Sequence, residues 1–409
     1  MTETCEGGPR TTRRGLLLGL AATVAVGRTR LAFARTVGDA RLVVVLLRGA
    51  LDGVFAVQPY GDAAHAGLRG PLALPEPGGA GEEAQNPRLL DMGGFFGLHP
   101  ALARLHAMYA ANEALVLHAV AGNWRTRSHF DAQDMLESGA SERLSSGWLN
   151  RALAAVPNPE AARAGLAIGT GVPLLLRGPT PVGAYAPTGM ERPAPDLLYR
   201  VAALQAGDPL LGPAFAEGLR ARGFAAETLG QRTGPVDREQ ITFPGLASTA
   251  GRLLAAADGP RVAAMELGGW DTHAGQIPRL TPLLRILDDG LAALKAGLGP
   301  HWGKTAVLVV TEFGRTVRPN GNFGTDHGTG GAAFVIGGAV AGGRVVADWP
   351  GLGAGALLDN RDLAPTLDLR GVAKGLLRDH LKLPPDAVAA AFPGSNEAPA
   401  VAGMVRIRG

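Results

Sequence analysis

Short, unbroken apolar runs alternate along this chain with polar segments punctuated by glycine and proline. The runs Arg41–Leu47, Ala114–Val120, Val262–Leu267, Ala306–Val310 and Ala332–Ile336 are dominated by Val, Leu and Ala. Runs of that length without polar alternation fit strands buried on both faces, as in a parallel sheet. Thr281–Leu298 is amphipathic at helical spacing, and Pro100–Ala110 repeats the pattern with Leu102, Leu105 and Met108. The series strand, helix, strand over 262–310 is a βαβ crossover, for which right-handed parallel pairing is expected. Ala332–Ile336 follows a loop at the end of the preceding run. It is therefore expected to run antiparallel, unless that loop folds back. Gly371–Leu381 reads as a closing helix after a loop over Arg361–Leu369. Residues 60–98 read as a surface excursion. In residues 150–260, Leu166–Thr170 and Val172–Arg177 are expected as strands and Pro209–Phe224 as a helix, together a cap or insertion.

The polar residues gather where these runs stop. Ligands in open α/β sheets lie at the carboxyl ends of strands, so side chains placed there are candidates for chemistry. Val310 is followed by Thr311, Glu312 and Arg315, a Gly/Asn/Pro-rich loop, and then Asp326-His327-Gly328. Leu267 is followed by a glycine turn, Asp271 and His273; two residues apart on extended backbone, those side chains point the same way. Leu47 leads to Arg48-Gly49-Ala50-Leu51-Asp52-Gly53. Carboxylate oxygens with imidazole nitrogens are the usual donors for zinc or manganese. The plainer alternatives are a Glu312–Arg315 ion pair and turn caps at Asp52, Asp326 and His327. After Val120 comes Gly122-Asn-Trp-Arg-Thr-Arg-Ser128-His-Phe-Asp131, where Ser128 stands as a helix N-cap. The same position would bind phosphate and lower the pKa of a serine hydroxyl, with Arg125 and Arg127 as forked donors. His118, inside an apolar run, reads as a core histidine.

Composition narrows the class. The 409 residues include 60 glycines and 30 prolines, and 46% are hydrophobic, which marks a globular chain able to bury a large core. The net charge of +3 is local: residues 1–34 hold five arginines against two glutamates, and no Lys/Arg stripe suited to nucleic acid appears. Arg13-Arg14, the apolar run Leu16–Val26 and Ala32-Phe33-Ala34 form a twin-arginine (Tat) export signal, expected to be cleaved before Arg35. The Tat translocase is thus an expected partner, and the mature chain is expected to be periplasmic or secreted, without a membrane anchor. The one cysteine, Cys5, lies in the signal, which leaves no disulfide, thiolate ligand or cysteine nucleophile after cleavage.

Together with the Tat signal, the segments RGALDG, SHFDAQDMLESG, GGWDTHAGQ and TEFGRTVRPNGNFGTDHGTGG resemble the DUF1501 family of exported bacterial proteins. That family is similar to the alkaline phosphatase superfamily, sulfatases included. The resemblance implies a three-layer αβα sandwich over residues 35–409 with a mostly parallel central sheet. It also implies two divalent metal ions, zinc or manganese, held among Asp52, Asp271, His273, Glu312, Asp326 and His327. Ser128 matches the nucleophile, with Arg125 and Arg127 beside it and His129 as ligand, base or structural residue. The implied activity is hydrolysis of small or polymeric phosphate esters, or less favourably sulfate esters. The formylglycine motif of sulfatases has no match. A non-catalytic exported binding or accessory protein on the same fold is the alternative, since a fold does not set an activity.

Overall fold

The apolar runs pair into one nine-stranded sheet. The structure is a computed structural model that describes residues 39–78, 87–156, 165–169, 171–186, 195–208, 211–229 and 238–406. The expected signal over residues 1–34 lies outside them. The principal strands are β1 (Arg41–Arg48), β2 (Ala114–Ala121), β3 (Gly165–Ile168), β4 (Gly183–Tyr185), β5 (Val262–Gly268), β6 (Thr305–Thr311), β7 (Gly331–Ile336), β8 (Arg344–Val346) and β9 (Leu367–Asp368). Their order is β8-β2-β7-β6-β1-β5-β3-β4, with β9 also on β2. Only β7 is antiparallel to its neighbours, β2 and β6; the remaining pairs are parallel. β1 lies between the two strands of the expected crossover and pairs in parallel with both.

Strand alternation divides the core in two. Val43, Val45 and Leu47 of β1 join one buried cluster, and Leu42, Val44 and Leu46 join another on the opposite face. The first cluster is covered by α2 (Phe243–Ala255) and α3 (Gln276–Leu298), the second by α4 (Leu369–Asp379) and Trp148–Leu153. The result is an α/β fold of three layers, helices on both faces of a mostly parallel sheet. Leu280, Leu284, Leu287, Leu291, Leu294 and Leu298 repeat down α3 at three- and four-residue steps, all buried. Each contributes on the order of 2 kcal/mol by leaving water. Glycines let α2 and α3 touch: a Cβ on Gly251 would lie 2.8 Å from Gly297 Cα.

Several boundaries differ from the pattern: the closing helix runs Leu369–Asp379, and the helix expected over Pro209–Phe224 runs Leu211–Leu229. α3 starts at Gln276, upstream of Thr281. Val172–Arg177 is not a strand: Leu174–Leu176 form a 3₁₀ turn. Besides the turn's own bonds, Leu176 N to Pro173 O (3.0 Å) and Arg177 N to Leu174 O (2.9 Å), Leu175 N–H donates to Glu137 Oε2 at 2.8 Å and Leu176 C=O accepts from Asn150 Nδ2 at 2.8 Å. Those bonds satisfy the main chain while Leu175 and Leu176 are buried, so no sheet partner is needed.

Candidate metal centre

Because β1, β2, β5 and β6 run in one direction, the loops after them meet at one end of the sheet. The loop after β1 packs on the loop after β5 at Gly49. Its φ is +114°, and a Cβ there would stand 2.7 Å from the Asp271 amide, so only glycine allows this approach. Arg315, buried, locks the loops. Its Nε donates to Ala50 O (2.9 Å), its Nη1 to Thr325 O (2.7 Å), and its Nη2 to Gly49 O (2.9 Å) and Asp271 Oδ1. Burial pushes the Asp271 carboxyl up, but Arg315 and the neighbouring histidines outweigh it and lower the pKa to about 2. Asp271 is thus an anion under all ordinary conditions.

Around Asp271 stand three imidazoles, each tied at Nδ1 to an oxygen. His273 Nδ1 is 3.0 Å from Asp326 Oδ1, His327 Nδ1 is 2.7 Å from the Arg127 carbonyl, and His129 Nδ1 is 2.7 Å from Glu312 Oε1. In the neutral ring, an acceptor at Nδ1 places the proton there and leaves Nε2 as a lone pair. His273 Nε2 lies 2.9 Å from His327 Nε2; the two lie 3.1 and 3.3 Å from Asp271 Oδ1. Two lone pairs and a carboxylate oxygen packed this closely repel one another, and either a proton on one ring or a metal ion among them relieves that repulsion. Bonds of ~2.0 Å in a tetrahedral site separate donor atoms by about 3.3 Å. The triangle matches one face of such a site. His129 Nε2 is 3.5 Å from the other oxygen, Asp271 Oδ2, and is buried without a hydrogen-bond partner. The ligating atoms of His129, Asp271 and His327 also fall within 4.8 Å of one another. Two donor triads therefore share Asp271 and His327, and the one containing His273 is the tighter.

Behind this first layer sit the carboxylates. Glu312 is buried at the end of β6. Its Oε1 accepts from Gly49 N (2.8 Å), His129 Nδ1 (2.7 Å) and Gln133 Nε2 (3.0 Å). Burial alone would raise its pKa, yet these donors bring it down to about 2. The hydrogen bond that His129 donates to the Glu312 carboxylate in turn raises the His129 pKa. Asp326 holds His273 and is itself held by Asn320 Nδ2 at 3.1 Å, which lowers its pKa.

The fold thus brings together Asp271, His273, His327 and His129, with Glu312 and Asp326 touching their far nitrogens. Asp52 faces elsewhere: fully buried, it caps Gly53–Ala56 through Phe55 N, and its Oδ2 accepts from Arg69 Nη2 (2.7 Å) and Gln276 Nε2 (2.8 Å). Glu312 does not pair with Arg315, whose carboxylate partner is Asp271. Ser128 is the N-cap of α1 (His129–Ser138), its Oγ accepting from Asp131 N at 3.4 Å. Arg125 folds onto its own loop, donating to Gly122 O (2.9 Å) and Trp124 O (2.8 Å). Arg127 points to Asp362 Oδ2 at 3.5 Å. Arg69 lies in the stretch read as a surface excursion. Gln133 and Gln276, though inside the quoted segments SHFDAQDMLESG and GGWDTHAGQ, were not singled out because a neutral amide is no metal donor of note. Among the described residues no helix is long and apolar enough to cross a membrane.

Among solved structures, a phosphonate monoester hydrolase of Agrobacterium radiobacter aligns at 12% identity and a TM-score of 0.38, over 85% of this chain and 74% of that one. A sulfatase from Pseudoalteromonas sp. aligns at 14% identity and a TM-score of 0.33, over 79% and 67%. Scores this low carry no argument about activity. Among curated proteins no match was found. The family model described as "Protein of unknown function (DUF1501)" matches residues 39–391, and the chain belongs to that family.

Proposed function

We propose that this DUF1501 chain is a metal-dependent hydrolase of phosphate or sulfate esters, built around one divalent ion, zinc or manganese. The observation that carries the reading is the contact of the His273 and His327 Nε2 atoms, 2.9 Å apart, with both Nδ1 atoms committed to oxygen acceptors. Asp271, His273 and His327 would hold the ion and leave its remaining position for substrate. When bound, such an ion polarises an ester's phosphoryl or sulfuryl oxygen as a Lewis acid. Asp52, which the resemblance implies as a ligand of a second ion, already has its negative charge balanced by Arg69 inside the protein, and the two donor triads share Asp271 and His327. One ion is therefore the reading here.

Glu312 and His129 form an oriented carboxylate–imidazole pair. In this reading His129 Nε2 takes the proton of the attacking group and returns one to the leaving alcohol, while Glu312 keeps the ring aimed and stabilises its charged form. Ser128, one residue away at the positive end of α1, is the attacking hydroxyl; accepting from Asp131 N leaves its own proton free for transfer. Its Oγ bonds to phosphorus or sulfur as the bond to the leaving alcohol breaks. A water deprotonated by His129 then hydrolyses the resulting seryl ester and restores the hydroxyl. Export by the Tat pathway belongs to the same proposal, resting on Arg13-Arg14 and the apolar run behind them.

The test is metal content of the purified mature chain, followed by turnover of aryl phosphate, phosphodiester and sulfate esters. About one equivalent of zinc or manganese with hydrolysis of one ester class supports the proposal. Metal without turnover on any ester moves the chain to the binding-protein alternative, and no metal ends the reading. Ser128→Ala should retain metal and lose turnover. If it keeps turnover, the attacking group is water, and the change costs only the helix cap, ~1 kcal/mol of stability.

A further inference from the structure

A carboxylate that no motif marked, Asp362, lies behind His327. It is fully buried on a segment whose main chain bridges Thr316, next to the Arg315–His327 bridge. Its Oδ2 accepts from Thr329 Oγ1 at 2.9 Å and lies 3.5 Å from Arg127 Nη2; its Oδ1 lies 3.3 Å from Arg361 Nη1. Both guanidinium groups belong to residues that hold His327. Arg127 supplies the carbonyl at the ring Nδ1 (2.7 Å), and Arg361 Nη2 donates to the His327 carbonyl (2.7 Å). Thr329 is two residues further along the same loop. Asp362 Oδ1 and Arg361 Nη1 have no hydrogen-bond partner and face only each other, so removing the buried carboxylate would leave Arg361 Nη1 without its counter-charge and untie Arg127 as well.

We infer that Asp362 is a positioning residue for the candidate metal centre, gathering Arg127, Arg361 and Thr329 so that His327 presents Nε2 toward Asp271. The inference rests on the metal reading above. A carboxylate two steps from an ion acts by restricting the ligand ring, and outer-sphere changes of that kind weaken metal binding by ~10–100-fold. Asp362 does not touch the site itself.

The experiment titrates zinc into metal-free protein against a chromophoric chelator, for the unaltered chain, Asp362→Asn and Asp362→Ala, with the metal-free melting temperature measured in parallel. The expected order of affinity is unaltered, then Asn, which keeps the acceptor for Thr329, then Ala, weaker by at least about tenfold. Arg127→Ala should weaken binding too, and the double variant Arg127→Ala/Asp362→Ala should lose less than the two single losses combined, because both act through one contact. Should Asp362→Ala fail to fold, Thr329→Val serves, with a smaller loss in the same direction. Variants that melt lower yet bind zinc as tightly as the unaltered chain would make Asp362 purely structural and overturn the inference, leaving the metal reading intact. An unaltered chain that binds no zinc would overturn both.

Discussion

Two sets of histidines in this protein are built in opposite ways. His118 lies in β2, fully buried, with Nε2 on Val57 O at 2.9 Å and Nδ1 accepting from Ala119 N at 2.8 Å. Its ring stacks on Phe96 and meets Trp349 edge-on, and burial lowers its pKa to about 4. His99 is also buried, with Nδ1 accepting from Ala101 N and a pKa lowered to about 4 by burial. At the sheet's carboxyl end, His129, His273 and His327 are each fixed at Nδ1 alone, and their Nε2 atoms crowd one carboxylate. Satisfied rings add stability; rings left half satisfied and pushed together cost it. Such a cluster persists only when surrounding structure over-determines it, which is where function is expected.

The widest gap between the two sets should open with Asp271→Ala. Removing the shared anion should abolish metal binding and turnover, a loss beyond the ~10–100-fold of outer-sphere changes. Elemental analysis and ester turnover read it, and retained metal with full activity would reverse the assignment. His118→Ala should do the converse. It deletes a buried ring and two hydrogen bonds, so unfolding free energy should fall by about 3 kcal/mol in denaturant titration, with zinc affinity unchanged. Acid should act on the buried set in a window of its own, which the metal-free chain can show. A histidine kept neutral by the fold binds its proton only near pH 4, while the unfolded chain binds it near 6.5. Stability is therefore complete above the unfolded pKa and falls as pH drops from about 6.5 toward 4, by up to roughly 3 kcal/mol for His118. His118→Leu should flatten part of that slope. Glu312→Gln makes the finest distinction. It keeps an acceptor for His129 but removes the charge, so turnover should drop ~10–100-fold with metal content unchanged.

Strand ends were readable because a strand buried on both faces must be an unbroken apolar run, and the residues that break it are conspicuous. Asp271, His273, Glu312 and Asp326-His327 all stand out in that way, and each lies in or against the cluster. Asp52 stood out equally, yet it caps a helical turn and pairs with Arg69. Linear pattern marks a carboxylate at a strand end without saying which neighbour it faces. The misread stretch Val172–Arg177 shows the same limit in the backbone, since an apolar run of that length suits a strand as well as a turn whose main chain bonds to Glu137 and Asn150.

By itself, then, the amino-acid order marked the buried strands, a parallel crossover over 262–310, and the end of the sheet at which polar chemistry gathers. It left open whether the strand after the Asp326-His327 loop runs antiparallel, as it does. Burial imposes a periodicity, and periodicity is local. The tertiary structure alone decided that Nε2 atoms 54 residues apart touch, that Glu312 backs His129, and that Arg315 and Asp362 stand behind Asp271 and His327. Those relations depend on distances of an ångström between distant segments, which leave no repeating trace along the chain.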